Sequence, residues 1–218
     1  MPVVRSPEQP PPKRRIPTQE RSRRRVGELL DAAERLVVDH GVEALTTRDI
    51  AAAAGVPVAS LYQYFGAKED VLLALADRDM AEMDEQVMTD LAELATLSVA
   101  SLTRSVMESF VRVYHRRRAF VVIYLRGRSN AAVNQFGRNH NRRVAAMLRD
   151  FAVDAGLTDP DLPPAAAELA VEIGDRVFQL AFEHSLTGDE FLVEQGIAMV
   201  TGYLERYATP AGLAGVRR

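Results

Sequence analysis

The residues with the clearest chemical potential lie between positions 46 and 65: Thr-Thr-Arg-Asp-Ile-Ala-Ala-Ala-Ala-Gly-Val-Pro-Val-Ala-Ser-Leu-Tyr-Gln-Tyr-Phe. Two short helical stretches joined at Gly55 have the layout of a helix-turn-helix, whose second helix can enter a DNA major groove. Ile50, Ala51, Val56 and Leu61 are the apolar residues available to lock the two helices together. Val58, Ala59, Ser60, Tyr62, Gln63 and Tyr64 are left to face outward. Glutamine can pair with adenine, serine and tyrosine can bond phosphates, and valine or alanine can touch a thymine methyl. Any helical hairpin buried in an all-helical core shows the same layout, so the pattern needs support from its surroundings.

The elements around it follow from hydrophobic spacing. Val26, Leu29, Leu30, Ala33, Leu36 and Val37 share one face of a helix expected from about Thr18 to His40, stopped at Gly41. Thr46, three residues before Asp49, reads as a cap for the second helix, and Pro57 suits the first position of a third helix reaching Phe65. A long helix starts near Lys68 and carries Val71, Leu72, Leu75, Met80 and Met83. Five more helices are expected at about 98–116, 118–129, 131–155, 164–187 and 189–207, about nine in all. No useful stretch alternates with period two, so the fold is expected to be all-α: an N-terminal three-helix unit joined by a long helix to a larger helical domain.

Charge supports a polyanion partner once it is divided along the chain. The 218 residues carry a net charge of −3, with 27 Lys+Arg against 30 Asp+Glu. Residues 1–25 alone sum to +6, leaving −9 on the remaining 193. This basic, proline-rich stretch is read as a disordered arm over 1–18, either merely solvated or touching DNA phosphates or a minor groove. It lacks the apolar stretch of a secretory signal. The longest apolar run outside the alanine patches, Ala119–Leu125, is too short to span a bilayer. With no cysteine, disulfides, zinc fingers, iron–sulfur clusters and a cysteine nucleophile are excluded. The four histidines lack metal-site spacing, so no metal is expected.

The runs Leu45-Thr46-Thr47-Arg48-Asp49-Ile50-Ala51, Ala54-Gly55-Val56, Leu61-Tyr62-Gln63-Tyr64-Phe65 and Lys68-Glu69-Asp70-Val71-Leu72 resemble the N-terminal domain of TetR-type (tetracycline-repressor-like) transcriptional regulators. The preceding Asp39-His40-Gly41-Val42-Glu43-Ala44 fits as well. Residues 19–72 carry the match, while the rest agrees in helical layout and size. The resemblance implies a cytoplasmic homodimer without a cofactor, which binds a palindromic operator and releases it when a small molecule enters the C-terminal domain. It implies DNA contacts from Thr47, Arg48, Val58, Ala59, Ser60, Tyr62, Gln63, Tyr64 and Lys68, with Thr47, Tyr62, Tyr64 and Lys68 on phosphates. Tyr62 has a second place available, its ring packed in the hairpin core, and Phe65 is assigned to that core. The chain departs from the family where Pro57, Val58 and Ala59 replace the usual serine, basic residue and glycine. Base reading then leans on Gln63, Arg48 and methyl contacts.

The implied boundaries are a DNA-binding domain at 19–66, a ligand-binding and dimerisation domain at 67–209, and a tail at 210–218. Met107, Phe110, Tyr114, Tyr124, Phe178 and Phe182 form an aromatic and methionine group that reads as core or as the lining of a largely apolar ligand cavity. Residues 164–187 carry two apolar stripes, Leu169, Ile173, Val177 and Leu180 on one and Val171, Phe178 and Phe182 on the other. A helix apolar on two faces must be buried on two sides. Residues 189–207 are similar, with Gly196 and Gly202 permitting close approach. The resemblance makes these two helices the dimer interface, and His184 falls on the first of them, where a buried polar contact is expected. Arg116-Arg117-Arg118, Arg126 and Arg128 read as a solvated helix junction or an acidic-effector site. Serine-hydrolase, nucleotide-loop and zinc-protease motifs are absent. The alternatives to a regulator are a helical enzyme or apolar-ligand carrier with an incidental hairpin, and a DNA-packaging protein using its basic arm.

Overall fold

The structure, a computed structural model, describes residues 18–127 and 131–217. The arm expected over 1–18 therefore falls almost wholly outside the described residues, as does Arg128. Ten helices are described: α1 (Thr18–Ala44), α2 (Thr47–Ala53), α3 (Val58–Leu61), α4 (Lys68–Glu93), α5 (Val99–Arg116), α6 (Arg118–Phe120), α7 (Ala131–Asp154), α8 (Pro164–Ala181), α9 (Glu190–Leu204) and α10 (Pro210–Ala214). The backbone of α1 leaves helical geometry at Gly41, where its stop was expected.

Helices α1 to α3 close on one another through the expected residues. Leu29, Ala33, Val37, Ile50, Ala51 and Leu61 are fully buried. A fully buried Leu or Ile contributes about 1.5–3 kcal/mol, which holds a unit this small together. Helix α4, 26 residues long, is about 39 Å end to end and packs against α1, α5 and α7. Its buried face includes Val71, Leu72, Leu75, Met80 and Met83. The C-terminal body is a layered bundle in which α8 contacts both α7 and α9, and α5 packs between α4 and α9.

Several elements depart from the pattern read in the sequence. Helix α3 is only four residues long; from Tyr62 the chain continues as tight turns, with Tyr64 N and Phe65 N both donating to Leu61 O. Pro57 offers no side-chain cap at the start of this helix. The expected helix at 118–129 is instead α6 followed by a π turn over Val121–Leu125. Helix α8 stops at Ala181 rather than 187, because Phe182 turns inward and Ser185, Thr187 and Asp189 bond locally to form a loop and cap α9. His184 is consequently exposed in that loop and not buried on an interface helix. The tail is also structured. Thr209 caps α10, and Val216–Arg217 pairs antiparallel with Thr96–Leu97.

Candidate nucleic-acid interface and effector cavity

Thr46 sets the start of α2: its hydroxyl accepts from Asp49 N at 3.2 Å and donates to the Asp49 carboxylate at 2.6 Å. Gly55 (φ 68°) turns the chain through the left-handed region, which only glycine enters without strain, and delivers it to α3. With Ile50 and Leu61 holding the two helices from inside, the opposite surface presents Arg48, Ala59, Tyr62, Gln63 and Tyr64 to solvent. Thr47, Val58, Ser60 and Lys68 are half-buried beside them. The Thr47 and Tyr62 hydroxyls lie 3.1 Å apart, tying the start of α2 to the end of α3. Tyr62 is 54% exposed, so its ring does not pack in the hairpin core; Phe65, 7% exposed, does. Lys68 Nζ is 3.4 Å from Val42 O, at the end of α1. Arg21, Arg23 and Arg24 stand exposed on the first turns of α1.

A cluster of charges joins this unit to the body. Arg78 on α4 donates to Asp31 (3.0 Å) and Glu34 (2.6 Å) on α1 and to its neighbour Asp79 (3.0 Å). Arg117, at the corner between α5 and α6, reaches Glu82 at 2.6 Å, Glu34 at 3.6 Å and Asp79 at 3.7 Å. Arg116 bonds Glu82 and Gln86. The arginine run is thus partly engaged: Arg116 and Arg117 are ion-paired, while Arg118 is exposed. Nothing in the local sequence reveals its partners, which lie about 30 to 80 residues away.

Burial of Asp79 pushes its carboxyl up to about 6 from 3.8, against the pull of Arg78 and Arg117. The folded state then holds this proton more tightly than the unfolded chain. The contribution of Asp79 to stability therefore falls as pH rises from about 4 to about 6. In urea unfolding between pH 4 and 7.5, the stability of the wild type minus that of Asp79→Asn is expected to drop across this window and level off above it. A difference that stayed flat or rose would contradict the assignment.

The body encloses an apolar cavity of about 110 Å³ between α4, α5, α7 and α8. Met107, Phe110, Tyr114, Tyr124 and Phe178 line it, as the sequence-based grouping placed them. Phe182 does not; it is fully buried against Tyr114 and beneath Gly188. The rings interlock: Tyr114 stacks on Phe120 (centroids 5.8 Å) and meets Phe178 edge-on at 5.2 Å. Sequence reasoning missed the polar lining, namely Asp175, His140, Asn141, Arg149, Thr103 and Thr158. The Tyr124 hydroxyl and Gln179 Nε2 (2.7 Å) donate to Asp175, whose carboxyl burial pushes up to about 6.

Helices α8 and α9 pack through Gly196, where a Cβ would lie 2.5 Å from Val177. That close approach is made inside the subunit, and Val177 is buried there. Gly202 has open space around it. The outer faces leave Leu169 (48%), Leu180, Phe191 (68%) and Met199 (57%) exposed.

Comparison with known proteins agrees with this architecture. Residues 29–75, which span the buried face of α1 through the start of α4, match the family model "Bacterial regulatory proteins, tetR family". A TetR-family transcriptional regulator from Streptomyces coelicolor superposes over 84% of this chain and 99% of its own, with a TM-score of 0.66 and 28% identity. The chain has the fold of TetR-family regulators, and its helix-turn-helix segment matches that family's model. Among its relatives, the transcriptional repressor KstR2 of Mycolicibacterium smegmatis is 38% identical over 108 residues, 50% of this chain and 51% of that protein. The repressor AcnR of Corynebacterium glutamicum is 40% identical over 60 residues, 28% of this chain and 32% of its own. The chain thus spans about half the length of the first of these repressors and a third of the second. The family is one of regulators rather than enzymes. Among the described residues no helix is long and apolar enough to cross a membrane.

Proposed function

We propose that this protein is a sequence-specific transcriptional regulator, a repressor, that binds a palindromic operator as a homodimer and leaves it when a largely apolar small molecule occupies the cavity. One observation carries the reading. A buried helix-turn-helix core presents Gln63, Tyr62 and Tyr64 outward beside Arg48, in the part of the chain that matches the family model. On this reading residues 19–66 form the DNA-binding domain and 67–209 the ligand-binding and dimerisation domain. Gln63, Arg48, Val58 and Ala59 face bases, while Thr47, Ser60, Tyr62, Tyr64 and Lys68 hold the backbone. The exposed faces of α8 and α9, with Leu169, Leu180, Phe191 and Met199, meet their copies across a two-fold axis.

The route from cavity to DNA runs through Arg117. It lies between Tyr114 and Phe120, both lining the cavity, and its guanidinium reaches Glu34 of α1. A ligand that shifts this corner changes the set of α1 on α4, and with it the separation of the two recognition helices. Release requires that the ligand bind the non-DNA state more tightly.

The test is binding to a duplex selected from a random pool, titrated with salt beside a scrambled duplex. A preference of about 10³-fold or more at physiological salt is expected. A ratio near one, with only a steep salt slope, would identify a packaging protein instead. On the selected duplex, Lys68→Ala is expected to weaken all sequences alike, whereas Gln63→Ala changes the selected consensus. An unaltered consensus for the Gln63 variant would misplace the base-reading face.

A further inference from the structure

The cavity is not uniformly apolar, and its polar groups lie at opposite ends. Thr103 on α5 and Thr158, just after α7, are 6% and 4% exposed, and neither hydroxyl has a hydrogen-bond partner. They follow Leu102 and Leu157, which belong to one hydrophobic cluster. Tyr114, Tyr124 and Phe178 belong to the other, and Asp175 sits with them. Along α5, Thr103 and Tyr114 are eleven residues apart, about 16 Å of helix. A buried hydroxyl without a partner has given up its hydrogen bonds to water for nothing in return, so two of them lining one cavity call for a group to bond.

The charges at the cavity are equally one-sided. Among the described residues Asp175 is in no ion pair. Arg149, which also lines the cavity, is already engaged: it donates to Leu162 O (2.8 Å), Pro160 O (3.3 Å) and Asp150 (3.1 Å). His140 is bonded to Asp84 at 2.9 Å. A carboxylate ligand would therefore meet Asp175 with no uncommitted cation beside it. A donor would find a carboxylate with lone pairs to spare, ringed by aromatic faces that also favour positive charge.

We propose that the cavity takes an elongated, mostly apolar molecule with a hydrogen-bond donor at one end, a hydroxyl or an ammonium, held by Asp175, and a hydroxyl or carbonyl oxygen at the other, held by Thr103 and Thr158. The proposal rests on the reading of this cavity as the effector site. A volume of about 110 Å³, room for on the order of ten water-sized spheres, suits a ligand of about ten to twelve non-hydrogen atoms.

Four ten-carbon probes separate the possibilities by calorimetry on the full chain: 1,10-decanediol, 1-decanol, 10-amino-1-decanol and decanoate. The diol is expected to bind about tenfold more tightly than decanol, and decanoate at least tenfold more weakly than the diol. Thr103→Val combined with Thr158→Val, a change of shape too small to disturb packing, should reduce the diol to the level of decanol. Asp175→Asn should weaken the amino alcohol at least tenfold; a smaller effect on it than on the diol assigns the donor as a hydroxyl, the reverse as an ammonium. Decanoate binding as tightly as the diol, or indifference to the double valine change, would overturn the proposal. A Met107→Trp variant, which fills the cavity, keeps the two readings apart. Probe binding that survives it overturns the placement in the cavity. Binding that it abolishes, but that ignores the end groups, overturns the polar-end proposal alone.

Discussion

Arg78→Ala is expected to lower the unfolding free energy by about 3 kcal/mol, one of the largest losses available to a single change outside the apolar core. Asp79 is fully buried, and Arg78 is its nearest cation at 3.0 Å. Without Arg78, the carboxylate keeps only Arg117 at 3.7 Å, and Asp31 and Glu34 lose their partner on α4. The figure sits at the low end for a stranded buried charge because Arg117 remains and because Arg78 is itself partly exposed. For a chain of this length, the change lowers Tm by about 6–12 °C. Adding Asp79→Leu should restore most of the loss, since the penalty belongs to the unpaired carboxylate and not to the missing guanidinium. A single variant within 0.5 kcal/mol of wild type would show that the cluster carries little stability. A double variant less stable than the single would show that packing around Arg78 carries it.

The second large effect concerns assembly. Phe191→Glu together with Met199→Glu places two charges on positions that are 68% and 57% exposed in the protomer. Such changes leave a lone subunit's stability nearly untouched, within about 0.5 kcal/mol each. Facing their copies across a two-fold axis, they would bring like charges together in an apolar contact. Sedimentation of the variant is expected to give a monomer at micromolar concentration where wild type gives a dimer. Operator affinity should fall by about 10²-fold or more, because the second half-site is no longer bound at high effective concentration. Circular dichroism should be unchanged. A variant that remained dimeric would move the interface to another face, and a monomer that kept full affinity would remove the palindrome from the account.

The sequence made the helix-turn-helix unit legible because its determinants are local. The Thr46 cap, the Gly55 turn and the spacing of Ile50, Ala51 and Leu61 all act within a few residues, and the structure shows each in place. The length of α3 was not legible, since Tyr62-Gln63-Tyr64-Phe65 carry no glycine or proline to mark its end before Gly66. The π turn at Val121–Leu125 hides in a run apolar on every face, where helical period gives no register. The pairing of Thr96–Leu97 with Val216–Arg217 brings together residues about 120 positions apart, and two-residue strands leave no alternating pattern.

The cavity divides in the same way. Met107, Phe110, Tyr114, Tyr124 and Phe178 could be grouped because aromatic and methionine side chains at helical spacing point inward. Phe182 shared that spacing with Phe178, but the end of α8 turned it away from the cavity. Thr103, Thr158 and Asp175 escaped notice because a polar residue beside apolar ones reads as a surface position unless its burial or its place at the cavity is seen. The ion cluster was hidden for a different reason. Arg117 finds partners on α1 and α4 only after three helices have packed.

Selection of DNA from a random pool with the full chain tests the central claim most directly, because one consensus reports specificity, symmetry and spacing together. A two-fold symmetric consensus is predicted, with half-site centres one helical turn, about 34–36 Å, apart or a multiple of it, as two recognition helices of one dimer require. A single asymmetric site, or no enrichment above the starting pool, would contradict it.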